Sequence, residues 1–240
     1  MNPIHNHTQA ISWMIKQFSK GKYLYYFIPG LALALLFWNF TSTVETWSSN
    51  SYGEDIPWIG GWVSKIAQGG LSFLGFLIYQ LFIFLVLTVL SPMNTFLAEK
   101  VETDLIGRSF GFDLERFILD LVRMVGVVIV VLTLEFFFMG LWAFVSWIFG
   151  FDFFDEVMYF LIAAFFYGYS FYDYSLERHS IGLRSSLKFA KTHWIEMVLT
   201  GGIFTLSFAL PIFGLPIFAV LATIISSHVF LRLSGALNQN

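Results

Sequence analysis

The chain has 240 residues, 57% of them hydrophobic and 12% charged, and carries a formal net charge of −3 at pH 7. A soluble domain holds about a quarter charged residues, so water would not solvate the surface this composition leaves, and an integral membrane protein of one domain is expected. The charge gives no basic field to gather nucleic acid, and the lack of cysteine rules out disulfides, thiolate metal sites and cysteine nucleophiles.

Aromatic residues make up 20% of the chain, with 30 Phe facing the task of packing against acyl chains and 8 Trp and 10 Tyr suited to headgroup depth. In chain order, residues 8–20 come first. Ile11, Met14, Ile15 and Phe18 recur at helical spacing with Lys16 and Gln17 opposite. That pattern predicts an amphipathic helix lying among the headgroups. The apolar run 24–44 follows, entered through Tyr25-Tyr26. It is too long for a signal-peptide core and no small-x-small cleavage site follows, so a retained first span is expected. Ile56 to Ile66, with Trp58 and Trp62 one turn apart, reads as an aromatic belt on the opposite side.

Residues 69–90 form a second charge-free run of the roughly 20 residues a spanning helix needs. Ser91 to Arg123 alternates charges with Phe96, Leu97, Val101, Leu105, Phe117, Ile118 and Leu121, which suits a long helix continuing that span, kinked at Pro92. The run 125–151 contains a single charge, Glu135, and the shorter run 157–172 contains none. Asp173, Glu177, Arg178 and His179 then read as a solvated helix start with local ion pairs. Finally 197–231 holds only His228 and is broken between Pro211 and Pro216. Two arms of about 15 residues reach about 22 Å each, short of a core of roughly 30 Å, which predicts a re-entrant helical hairpin. The fold class expected is therefore all-α, with long transmembrane helices plus short or re-entrant hairpins.

Positive charges alternate along the segments between these runs. Lys16, Lys20 and Lys22 precede the first span, Lys65 stands alone in the next loop, and Lys100, Arg108, Arg116 and Arg123 fill the third segment. Residues 150–156 have none, and Arg178, Arg184, Lys188 and Lys191 follow. The positive-inside rule then places both termini in the cytoplasm.

Three motifs carry a family resemblance. Ser91-Pro92-Met93-Asn94-Thr95-Phe96-Leu97-Ala98-Glu99-Lys100-Val101-Glu102 resembles the Pro-x-Asn-x-x-Leu-Ala-Glu-x-x-Glu stretch of CysZ-type sulfate permeases of the etoposide-induced protein family. Tyr172-Asp173-Tyr174, with the basic helix around Arg184, is similar to that family's Asp-Tyr segment, and Pro211 to Pro216 falls at its last hairpin. Gly21 and Pro29 at the entry to the first span fit as well. The resemblance covers residues 10 to 232. It implies two long spanning helices with partly penetrating hairpins, a homo-oligomer, a lipid bilayer of the bacterial inner membrane as environment, and sulfate or a similar small oxyanion as substrate. The family's Gly-x-Arg oxyanion signature reads Gly21-Lys22-Tyr23-Leu24 here, so Tyr23 and Leu24 stand at the arginine positions and the ligand is left open.

A dianion crossing hydrocarbon needs fixed donors, and Gly21 with Lys22, at the N-terminal end of the first span, is the anion-binding candidate. The plainer role for Lys22 is a snorkelling side chain that sets orientation. Glu135, mid-run, would cost about 2.5–3.5 kcal/mol on insertion and must face the bundle or water, as a proton site or as a protonated hydrogen-bonding group. His228 is the other intramembrane polar candidate. His5-Asn6-His7 supplies too few ligands for a metal, and no phosphate loop, dinucleotide fingerprint or nucleophile elbow occurs, so neither catalysis nor a cofactor is expected. Two functions lead, an oxyanion permease and a membrane organiser that binds partners without transport, with a lipid-modifying or other membrane enzyme ranked last.

Overall fold

The computed structural model describes residues 2–36, 39, 90–107, 114–210 and 213–238, and within them every regular element is helical. The expected span 69–90 except Leu90, most of 24–44 beyond residue 36, the belt with Trp58 and Trp62, and Pro211 lie outside the described residues.

Helix α1 (Pro3–Phe18) starts earlier than the apolar periodicity suggests, because its N-terminus is built by polar chemistry. Asn2 Oδ1 accepts from the backbone N–H of Ile4 at 3.0 Å and of His5 at 3.4 Å, and Pro3 occupies the first helical turn, where its missing N–H costs nothing. The face α1 buries against α7 and α8 consists of Asn6, His7, Ala10, Met14 and Gln17. Met14 is thus inward as the periodicity requires, but Ile15 points out, because the helix is turned to bury the polar stripe of Asn6 and His7, with His7 bonded to Thr200 of α7.

Helix α2 (Leu24–Leu36) opens with a 3-10 turn at Leu24–Tyr26. Helix α3 covers 90–106 and ends at Gly107, whose φ of +71° breaks the long helix expected through Arg123. Helix α4 (Leu114–Phe149) has 36 residues and is therefore about 54 Å long. It stops where Gly150 takes φ +67°, its N–H and that of Phe151 both returning to the Ser146 carbonyl at 2.7 and 3.1 Å. Trp142 Nε1 donates to Asp155 Oδ1 at 2.9 Å and closes the turn into α5 (Asp155–Arg178). Then follow α6 (Leu183–Thr192), α7 (Trp194–Thr205) and, after a 3-10 turn at Leu206–Ala209, α8 (Gly214–Leu233).

Two glycines set the closest contact, between α5 and α7. Gly168 lies against the backbone of Met197 and Gly201 against the backbone of Ala164, so a Cβ at either position would meet a carbonyl. Helix α8 sits at the centre: 83% of its most apolar window is buried, against 17% for the window in Val125–Phe149 of α4. Both are long and apolar enough to cross a membrane. The final hairpin has unequal arms, about 18 Å of α7 and about 30 Å of α8, since α8 continues from Gly214 to Leu233.

Candidate functional site

The turn between α1 and α2 is where the sequence places its anion candidate. Gly21 adopts φ +73° and its N–H returns to Phe18, while the Lys22 N–H reaches the Gln17 carbonyl at 3.1 Å. Tyr23 also has positive φ, +65°, a conformation that costs a non-glycine residue about 1 kcal/mol or more and is held here by a ring that is almost wholly buried. The Tyr23 ring packs against Trp13 and Tyr26, with centroids 6.1 and 6.5 Å away.

Three donors from this region converge on one carboxylate of α3. Lys22 Nζ lies 2.8 Å and the Tyr23 hydroxyl 2.9 Å from Asp104 Oδ2, and Lys100 Nζ lies 3.0 Å from Asp104 Oδ1. Burial pushes the Asp104 carboxyl up, but the hydrogen bonds from Lys22, Lys100 and Tyr23 outweigh it and hold it down at about 2. Burial, reinforced by the hydrogen bond to this anion, raises the Tyr23 hydroxyl. Beside the cluster an open cleft of about 420 Å³ runs between α2 and α3, lined by Tyr25, Tyr26, Phe96, Glu99, Lys100 and Thr103 among others. Chemically the cluster is an oxyanion seat: two ammonium groups and a hydroxyl around two carboxylate oxygens.

A second charged cluster joins the end of α5 to α3. Arg178 donates from Nη1 to Glu99 Oε2 and from Nη2 to the Thr95 carbonyl, both at 2.8 Å, and its side chain is nearly buried. His179 Nε2 stands 3.2 Å from Glu102 Oε2, on a residue with no exposed surface. These residues close a helix and bind a distant one, which corrects the expected solvated helix start: Asp173 and Glu177 are buried too, and the stretch is the C-terminal end of α5. Asp173 Oδ1 accepts from Ser186 Oγ of α6 at 2.7 Å.

Glu135 is buried on α4 and borders a cavity of about 30 Å³ shared with Ser91, Ser170, Asp173 and Tyr174, and its Oε2 meets no partner among the described residues. It faces the bundle, as its cost in lipid demands. His228 is buried on α8 with its ring 5.5 Å from Trp13. Among the described residues no hydrogen bond or ion pair joins Glu135 or His228 to the Lys22 turn, and no group of His, Asp and Glu is arranged to hold a metal. Asp104 and Lys100 escaped sequence reasoning, although their i, i+4 spacing on one helix was a usable signal. The partners of Arg178 and His179 lie 79 and 77 residues away, beyond any local pattern.

No curated protein matches this chain. Residues 13–219, most of its length, match the profile of the family described as sulfate transporter CysZ/etoposide-induced protein 2.4, and the chain belongs to that family.

Proposed function

We propose that the protein is an integral membrane permease for a small oxyanion, sulfate first, acting as a homo-oligomer in a bacterial inner membrane with both termini in the cytoplasm. The family assignment over residues 13–219 carries this reading. The outer face of α4 supports the membrane setting: Ile129, Phe136, Phe137, Leu141, Phe144, Trp147 and Ile148 are all exposed, a continuous apolar surface that water does not tolerate. The donors at the first turn support the substrate class. Lys22, Tyr23 and Lys100 offer a tetrahedral dianion what they now give Asp104, and the dianion enters when that carboxylate swings away.

Uptake of radiolabelled sulfate into vesicles containing the purified chain tests this. Saturable uptake above that of protein-free vesicles is expected, and uptake equal to theirs would refute the permease.

A second reading, a membrane organiser without transport, is favoured by one observation: Lys22 is already neutralised by Asp104, and Tyr23 and Leu24 stand where the family carries arginines. Recovery of a stoichiometric protein partner together with absent flux would select it.

A further inference from the structure

Helix α6 is short, and its two faces differ in kind. Ser186 and Ala190 are buried, with Ser186 tied to Asp173 and to the Tyr169 hydroxyl, and Leu187 packs beside them. These contacts fix the rotation of the helix. Arg184, Lys188 and Lys191, spaced i, i+4, i+7, are therefore presented together on the opposite face, and all three are exposed. None of them is ion-paired among the described residues. The single carboxylate between residues 183 and 198, Glu196, is buried and does not screen them.

One turn beyond Lys191 the chain enters α7 at Trp194, which is half exposed. Trp194 also begins an apolar groove of about 270 Å³ that continues along Val198, Phe165 and Leu161 to Phe138 of α4. The groove offers almost no polar atom, so it accepts an acyl chain and rejects a solvated ligand. A row of cations, an indole at its edge and an apolar channel leading away match the three parts of one molecule: an anionic headgroup, the glycerol interface and an acyl chain.

We infer that α6 and the α4–α5–α7 groove form a binding site for an anionic phospholipid, its phosphate on Lys191, Lys188 and Arg184 and one chain in the groove. The inference rests on the membrane setting proposed above, and not on sulfate being the substrate. The headgroup cations make the site selective: each contributes on the order of a five-fold preference for an anionic surface at low salt. A firmly held lipid at this corner would also lock α6 against α5, beside the Ser186–Asp173 bond.

The test uses the full chain in nanodiscs of phosphatidylglycerol and phosphatidylcholine with identical acyl chains, with retained lipids counted by native mass spectrometry. The wild type should retain phosphatidylglycerol preferentially. The triple variant Arg184→Gln, Lys188→Gln, Lys191→Gln should lose at least about five-fold of that preference, and Val198→Phe, which fills the groove, should lose retained lipid of both classes. Equal retention of the two lipids by the wild type, or an unchanged preference in the triple variant, would overturn the site.

A second measurement does not depend on the triple variant folding. Quenching by lipids brominated on the acyl chain, taken as wild type minus Trp194→Phe, should be stronger for phosphatidylglycerol than for phosphatidylcholine. Equal quenching would overturn the site as well. Failure of the chain to insert into any bilayer would remove the membrane setting and the site together, whereas insertion with equal retention removes the site alone.

Discussion

Asp104 governs the first turn more than any cation there does. It receives Lys22, Tyr23 and Lys100 at 2.8 to 3.0 Å, and so ties the α1–α2 turn to α3. Its folded value, about 2, lies below the ordinary 3.8, so the stabilisation is fully present above 3.8 and is lost as pH falls through about 2. An infrared carboxylate band assigned by its absence in Asp104→Asn should therefore persist well below pH 3.8, and its disappearance near that ordinary value would show that the donors do not hold it. Arg178 is the other residue whose geometry sets its consequence. Replacing it with Ala removes its bonds to Glu99 and to the Thr95 carbonyl together, with a predicted loss of about 3 kcal/mol in detergent unfolding. Lysine should restore less than half of that loss, since it lacks the planar fork that aims two N–H groups at the Glu99 carboxylate and the Thr95 carbonyl at once. At this scale the sequence singled out Lys22, through its position before an apolar run, but not Asp104, and it named Arg178 and His179 without their partners, which lie 79 and 77 residues away on α3.

At the scale of elements, two contacts decide how the helices sit. The α5–α7 pair depends on Gly168 and Gly201, each against a backbone of the other helix. Valine at either position should cost at least about 3 kcal/mol in thermal unfolding, a case of overpacking that no side chain can relieve. Gly202→Ala is the control, because its Cβ would meet only Phe160 at 3.7 Å, and should be near neutral. The second contact is α1 on α7 and α8. His7 Nδ1 donates to the Pro3 carbonyl at 2.9 Å, which leaves Nε2 to accept from the Thr200 hydroxyl at 2.9 Å. Burial lowers this imidazole below its ordinary 6.5, against hydrogen bonding to the backbone and the charge of Glu196, the carboxylate facing it. A depressed value means that docking is strongest above 6.5 and weakens as pH falls through the folded value. Amide exchange in α1, corrected for intrinsic rate, should rise on acidification below 6.5 in the wild type and stay flat in His7→Gln; a flat wild-type profile would show that His7 does not carry the docking.

Elements with one dominant signal were legible from the sequence: the uncharged stretch around Glu135 lies within one helix, and the proline-broken run near residue 211 separates α7 from α8. The rotation of α1 was not legible, because its buried stripe is half polar and Asn2 and Pro3, which start it, lie before the apolar pattern begins. Nor was the break at Gly107, where a left-handed residue outweighs a periodicity that runs on either side of it.

Over the whole molecule, burial is arranged inside out for water. The apolar helix α8 is mostly buried and fills the centre, while the long α4 shows phenylalanines and tryptophan on its outer face. Charged contacts gather elsewhere, at the first turn and at the α3–α5 junction, and exposed cations line α6. If the chain is the permease proposed above, this distribution suits it, since a transporter of a small anion needs cations near its entrances that are not permanently spent. On the proposed function, Asp104 meets that need by occupying the donors until a substrate competes for them.

The most direct test of that claim is sulfate uptake into vesicles by a pair of variants with opposite expected signs. Lys22→Met removes one charged hydrogen bond and should weaken apparent affinity by about ten-fold or more. Asp104→Asn empties the seat of its internal anion and should strengthen apparent affinity by about ten-fold. Uptake in both variants indistinguishable from wild type would contradict the account, for it would mean that sulfate never meets the donors at the first turn.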